Sequence, residues 1–239
     1  MEVLATVSAA ILVGGLGTRL RSVVDDRPKV LAEIRGKPFL TYLLDQLISS
    51  GIRSVVLCTG YMGELVKAEF GDRYGRLRLL YSQESSPLGT AGALRLALPF
   101  FESESVLILN GDSFSEANLE ALWEWHCARD ADATLLLTES LDTSRYGRVH
   151  VDGEGRVLQF EEKDGRKAPG WINAGVYLIK RHLLHTIPDS GMTSLERTIF
   201  PKWIGGEFYG YLSRGRFLDI GTPEAYASAE QFFASHILK

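Results

Sequence analysis

Apolar positions follow two rhythms along the first half of the chain. Continuous apolar runs at Leu4 to Val13, Ser54 to Thr59, Leu77 to Tyr81, Val106 to Asn110 and Ala133 to Thr138 predict buried strands. Between them, Pro38 to Ser50, Gly63 to Phe70, Thr90 to Leu98 and Asn118 to Arg129 repeat their apolar residues at helical spacing. Phe39, Leu40, Leu43, Leu44 and Leu47 form one such stripe, started by Pro38 in the first turn and ended by Gly51. Thr90 has the chemistry of an N-cap for a helix beginning at Ala91. Strands alternating with helices predict an α/β fold. The expected form is a Rossmann-like three-layer sandwich, with a mixed but mostly parallel central sheet covered by helices on both faces.

The second half changes texture. Tyr146 to Val151 and Val157 to Glu161 flank the turn Asp152-Gly153-Glu154-Gly155 and predict a hairpin. Further strands are expected at Trp171 to Ile179, Phe208 to Tyr211 and Arg216 to Ile220, with a short helix at Leu195 to Trp203 and a closing helix at Pro223 to Phe233. Asp164 to Gly170, rich in Gly, Lys and Pro, reads as a mobile surface loop. No repeat or linker divides the chain, so residues 1–239 are expected to form a single domain. In such sheets ligands bind beyond the carboxyl ends of the strands.

Composition narrows the function classes. With 45% apolar and 23% charged residues among 239, the chain is ordinary globular material. A formal charge of -4, from 26 basic and 30 acidic residues, gives no long-range attraction to nucleic acid or an anionic membrane. The aromatic residues Trp123, Trp125, Trp203, Tyr209 and Tyr211 are therefore expected in packing roles. Val3 to Val13 lacks a basic leader and is too short to span a bilayer, which makes the cytoplasm the default location. Cys58 and Cys127 have no metal-ligand spacing and are expected to be buried in a reducing compartment. The five histidines are scattered, against a structural zinc site.

The segment most charged with chemistry is Leu12-Val13-Gly14-Gly15-Leu16-Gly17-Thr18-Arg19. Glycines directly after a strand permit a tight turn whose backbone N–H groups cradle phosphates or a base edge. Arg19 adds a planar fork of donors for phosphate oxygens. The glycine order is not that of a dinucleotide fingerprint, and the Gly-Lys-Ser/Thr ending of a P-loop is absent. The turn resembles instead the signature of the sugar-1-phosphate nucleotidyltransferases, together with Arg27-Pro28-Lys29 and Gly36-Lys37-Pro38. The resemblance continues through Pro87 to Gly92, Asn110-Gly111-Asp112, Phe160 to Lys163, Asn173 to Tyr177 and Phe217 to Glu224. Within that family the likeness is nearest to guanylyltransferases acting on D-glycero-α-D-manno-heptose 1-phosphate, on the strength of Leu20 to Val24, Leu88 to Ala93 and Ser194-Leu195-Glu196.

This resemblance implies a GT-A-like fold and an enzyme joining GTP to a sugar 1-phosphate with release of pyrophosphate. Residues 1–140 would form mainly the nucleotide half and 141–239 mainly the sugar-phosphate half. Leu12, Gly14, Gly15, Gly17 and Thr18 would surround base and phosphates, with Gln83, Glu84, Gly89 and Thr90 in the base-reading region. A Glu or Gln side chain there suits a guanine edge without excluding thymine. Arg19 and Lys29 would carry the phosphate charge, and Asp112 and Asp219 would hold Mg²⁺. Gly147, Glu161, Lys163 and Asn173 would meet the sugar and its phosphate. Mannose 1-phosphate with GTP, glucose 1-phosphate with dTTP, and a non-catalytic sugar-nucleotide binder stay open as alternatives. The closing helix is a candidate surface for a homodimer.

Overall fold

The computed structural model describes residues 3–20, 22–161, 167–189 and 191–234. The strands are β1 (Ser8–Leu12), β2 (Glu33–Ile34), β3 (Lys37–Pro38), β4 (Ser54–Thr59), β5 (Arg73–Tyr74), β6 (Leu77–Gln83) and β7 (Ser105–Asn110). They continue with β8 (Ser113–Ser115), β9 (Ala133–Ser140), β10 (Arg148–Val151), β11 (Val157–Glu161), β12 (Gly170–Lys180), β13 (Phe208–Ser213) and β14 (Phe217–Asp219). The helices are α1 (Phe39–Ser49), α2 (Gly63–Phe70), α3 (Gly89–Ala97), α4 (Leu119–Ala128), α5 (Arg181–His185), α6 (Phe200–Trp203) and α7 (Pro223–Ala234).

One ten-stranded mixed sheet runs β11-β10-β12-β7-β1-β4-β6-β5, with β9 and β13 joined to it through β12. Its centre, β7-β1-β4-β6, is parallel. The antiparallel pairs of β12 with β7, β9 and β10 extend it on one side. Period-2 alternation explains why the central strands read as unbroken apolar runs. Ile11, Leu57 and Leu109 face one apolar layer beneath α1, α2, α4 and α7, while Ala10, Val56 and Ile108 face a second beneath α3, α5 and α6. Both faces are buried, so both sets of alternate positions must be apolar.

Several expectations need correction. Regular pairing begins at Ser8 rather than Leu4, although Leu4 and Val7 are buried in the core. Thr90 is not an N-cap: the helix begins one residue earlier, and its hydroxyl accepts from the Leu195 N–H at 2.8 Å. Cys58 is buried, but Cys127 is exposed. On α4 the buried stripe is Leu119, Leu122 and His126, and Cys127 falls beside it. The expected Leu195 to Trp203 helix is a π-helical turn, Leu195–Ile199, followed by α6. Of the loop expected at Asp164 to Gly170, residues 164–166 lie outside the described residues, and Gly170 already belongs to β12. The expected packing roles of the aromatics are observed for Trp125, edge-on to Tyr209 and Tyr211, and for Trp203 against Phe200 and Phe208. No helix among the described residues is long and apolar enough to cross a membrane.

His126 yields a prediction for stability. It is 2% exposed, with Nε2 3.2 Å from Ser105 Oγ and Nδ1 2.8 Å from Thr134 Oγ1. Burial pushes its pKa down to about 4, whereas an unfolded chain protonates histidine near 6.5. Its contribution to stability is therefore complete above about pH 6.5 and is lost as pH falls toward 4. At about 1.4 kcal/mol per pH unit, the loss approaches about 3 kcal/mol. Urea unfolding at about pH 7 and about pH 4.5 should show a steeper decline for the wild type than for His126→Gln. Equal declines would remove His126 as the source.

Candidate functional site

A cleft of about 810 Å³ opens at the carboxyl ends of the parallel strands. Three chain reversals meet there, after β1, β4 and β6. Val13 N–H bonds to Cys58 O at 2.9 Å, and Glu84 N–H to Thr59 O at 2.9 Å. Gly14 and Gly60 face each other so closely that a Cβ on Gly60 would lie 3.0 Å from Gly14 O and 2.6 Å from Glu84 Oε1. Gly17, at φ +60, turns the chain back toward Lys29. All the residues expected around the nucleotide line this cleft: Leu12, Gly14, Gly15, Gly17, Thr18, Arg19, Lys29, Gln83, Glu84, Gly89, Thr90 and Asp112.

Glu84 braces the turn from within. Its Oε2 accepts from the Leu88 N–H at 3.0 Å, and its Oε1 lies against Gly14 and Gly60. Burial raises its pKa, with the Leu88 hydrogen bond pulling the other way. Gln83 beside it is exposed at the rim.

The acidic pair is assembled by backbone pairing. β8 and β14 run antiparallel, with Asp219 opposite Ser113 and Leu218 opposite Phe114. One step further, the Ile220 N–H donates to Asp112 O at 2.9 Å. Asp219 is thereby held beside Asp112. Burial raises the Asp219 pKa, and the neighbouring Asp112 charge adds to the rise. The Gly221 N–H donates to Asp219 Oδ1 at 2.6 Å, which orients the carboxylate. Lys29 Nζ donates to Asp112 Oδ2 at 2.5 Å. Arg19 reaches the same corner, because a Cβ on Gly221 would lie 3.2 Å from its Nη2 and 2.7 Å from Asp219 Oδ1.

Two carboxylates forced together, one of them desolvated, form a donor set that fits a divalent cation with hard oxygen ligands. Among the described residues no group of three or more His, Cys, Asp or Glu could hold a metal. Such an ion would therefore complete its shell with substrate or water oxygens. Mg²⁺, which retains waters and shares phosphate oxygens, suits that incomplete protein shell.

Of the residues expected at the sugar, Gly147, Glu161 and Asn173 lie outside the cleft lining, on the β10 to β12 side. Glu161 is already engaged, accepting from Arg148 Nη2 at 2.8 Å and paired with His150 Nε2 at 2.9 Å. The His150 hydrogen bond, followed in weight by other contacts including Arg148, lowers its pKa. Asn173 donates to Tyr177 Oη at 2.9 Å and accepts from the Gly175 N–H at 2.9 Å. A Cβ at Gly147 would meet Glu161 O at 2.9 Å, so glycine is needed there by the neighbouring strand itself. Lys163 lies outside the described residues.

Sequence reasoning missed other residues around the site. Met192, 77% exposed, reaches the cleft from the second half of the chain. Its neighbour Thr193 clamps α3 through Thr193 N–H to Leu88 O and Ala91 N–H to Thr193 O. A Cβ on Gly89 would lie 2.5 Å from Thr193 O. Arg145 Nη2 donates to Thr222 Oγ1 at 3.2 Å, tying the loop before β10 to the turn after Asp219. No local pattern marks Met192 as a cleft residue, whereas Arg145 beside Tyr146-Gly147 was open to the charge argument applied to Arg19.

Comparisons with known proteins agree with this geometry. The chain is 40% identical over 230 residues to the D-glycero-alpha-D-manno-heptose 1-phosphate guanylyltransferase of Aneurinibacillus thermoaerophilus, covering 96% of this chain and 99% of that one. It is 37% identical over 224 residues to the mannose-1-phosphate guanylyltransferase of Mycobacterium tuberculosis, covering 92% of this chain but 62% of that one. The crystal structure of HddC from Yersinia pseudotuberculosis complexed with GMP-PN superposes with a TM-score of 0.84 at 32% identity, covering 95% of this chain and 99% of that one. The nucleotidyl transferase family profile matches residues 8–236, and with the cleft, glycine turn and acidic pair in place, the chain belongs to the nucleotidyl transferase family.

Proposed function

We propose that this protein transfers GMP from GTP to D-glycero-α-D-manno-heptose 1-phosphate, forming GDP-heptose and pyrophosphate. The observation that carries the reading is the cationic and acidic cluster in which Arg19, Lys29 and Asp112 line a glycine-walled cleft and Asp219 stands beside Asp112. Similarity to a heptose 1-phosphate guanylyltransferase, 40% identical over 230 residues against 37% over 224 for the mannose 1-phosphate relative, supports the sugar.

In the proposed reaction a phosphate oxygen of the sugar attacks the α-phosphorus of GTP. The bond from that phosphorus to the bridging oxygen breaks, and pyrophosphate leaves with the electron pair. Both reactants are anions, so charge must be neutralised where it gathers. Mg²⁺ held by Asp112 and Asp219 would supply Lewis-acid stabilisation of the phosphate oxygens. Lys29 is held by Asp112 rather than left to swing, and its ammonium would meet the phosphates from there. Arg19, beside Gly221 at the same corner, would take the triphosphate. The glycine turn presents backbone N–H groups without side-chain obstruction. Gln83 lines the cleft together with Ser85, Ser86 and Pro87, and guanine would be read there. The sugar is assigned to Glu161, Lys163 and Asn173, with Gly147 admitting the adjacent strand. Glu161 keeps its Arg148 and His150 partners while sharing lone pairs with sugar hydroxyls.

Pyrophosphate release with Mg²⁺, measured across GTP, dTTP, CTP, UTP and ATP with heptose, mannose and glucose 1-phosphates, tests the assignment. The expected result is a dominant rate for GTP with the heptose phosphate. Preference for mannose 1-phosphate or dTTP would overturn the substrate assignment, and no turnover in any pair would overturn the reaction. In the productive pair, Lys29→Ala should lower kcat by about 10² to 10³. A loss under about threefold would show that Lys29 does not meet developing charge.

A further inference from the structure

Behind the cleft wall, one polar network crosses from the nucleotide side to the sugar side. At its centre is Tyr177 of β12, 0% exposed. Its hydroxyl donates to Glu196 Oε1 at 3.2 Å and accepts from Asn173 Nδ2 at 2.9 Å and Asn110 Nδ2 at 3.3 Å. Glu196 Oε2 accepts from the hydroxyls of Thr90 at 3.1 Å and Ser194 at 2.8 Å. The participants come from β7, β12, α3 and the π-helical turn at Leu195–Ile199.

The proton arrangement is determinate. Tyr177 and Thr90 both donate to the Glu196 carboxyl oxygens. Tyr177 then has no proton left, and both asparagines must present their amide NH₂ to it. Burial, with the Glu196 charge as a second cause, raises the Tyr177 pKa well above its ordinary value, so the donor persists. The orientation of each amide is fixed. Asn110 Oδ1 is thereby turned into a buried position with no partner among the described residues, and Asn173 Oδ1 is turned to the Gly175 N–H. A buried network of this kind resists rearrangement, because rotating Tyr177 or Asn173 would leave further polar groups unpaired.

Two members, Thr90 and Asn110, line the nucleotide cleft. Asn173 stands where β12 shifts register against β9, at the edge assigned to the sugar. We propose that Tyr177 and Glu196 are positioning residues that set the nucleotide and sugar-phosphate subsites as one unit, holding Thr90 and Asn110 on one side and Asn173 on the other. The sugar side of this statement rests on the function proposed above. Removing the tyrosine hydroxyl frees both asparagines but leaves Glu196 bound to Thr90 and Ser194. Changing the glutamate disturbs both sides at once.

The test compares wild type, Tyr177→Phe and Glu196→Gln. It measures kcat and both KM values by pyrophosphate release. In parallel, calorimetry reads binding of a non-cleavable α,β-methylene GTP alone and of heptose 1-phosphate in its presence. Tyr177→Phe should melt about 2–4 °C lower but stay folded at the assay temperature. Its affinity for heptose 1-phosphate and its kcat should each fall roughly tenfold or more, and its affinity for the GTP analogue, with Asn110 released but Thr90 still held by Glu196, should fall by less. Glu196→Gln should weaken both ligands. Unchanged sugar-phosphate affinity and kcat in Tyr177→Phe would overturn the proposal, as would equal losses for both ligands in that variant. If the wild type binds both ligands but releases no pyrophosphate, the proposed reaction fails while the binding arms still decide the positioning role. Failure of the wild type to bind any sugar 1-phosphate would overturn both.

Discussion

Antiparallel pairing of the two short strands β8 and β14 is the constraint on which the charged corner of the cleft depends. It carries Asp219 to the side of Asp112 across a long stretch of sequence, with Asp219 registered on Ser113 and Ile220 bonded to Asp112 O. Two strands of three residues are marginal alone. Here they are anchored by Phe114 and Leu218, buried opposite each other in register. Phe114 packs edge-on against Phe233 of α7, which in turn stacks on Tyr42 of α1. The closing helix therefore matters to the chemistry although none of its residues lines the cleft.

Holding like charges together in a half-desolvated corner is costly unless something compensates. Lys29 on Asp112 and the Gly221 N–H on Asp219 supply part of the compensation. The raised Asp219 pKa marks the part left over. A corner that is incompletely neutralised by protein suits a site where a cation and a polyanion are to arrive together. The glycine-walled side complements it, because a side chain at Gly60 would collide with Glu84 and Gly14, which keeps that wall free of side chains at Gly14 and Gly60.

The layers of this fold were legible because its central strands are buried on both faces, which turns β1, β4 and β7 into unbroken apolar runs. The glycine turn was legible for a related reason: a strand that stops at Gly14-Gly15 has few other physical purposes. Boundaries failed where a tertiary partner outcompeted local chemistry. Thr90 has the residue type of a cap, yet its hydroxyl serves Glu196 and Leu195 from a distant segment. β8, with the sequence Ser-Phe-Ser, is too short to show a period, and its pairing with β14 is written nowhere locally. Glu84 lines the cleft, and its carboxylate also accepts from the Leu88 N–H and packs against Gly14 and Gly60, contacts that no local pattern announces. Cys127 sits one position off the buried stripe of α4, a displacement that helical phase alone left ambiguous.

The most direct test of the central claim is a titration of Mn²⁺, read by electron paramagnetic resonance, into the GTP-loaded protein and its Asp112→Asn and Asp219→Asn variants. The account predicts one protein-held ion in the wild type and affinity roughly tenfold or more weaker in each variant, as expected when one of few hard oxygen ligands is lost. Unchanged Mn²⁺ affinity in both variants would contradict it, and would mean that the pairing of β8 with β14 serves some purpose other than holding a metal at the phosphates.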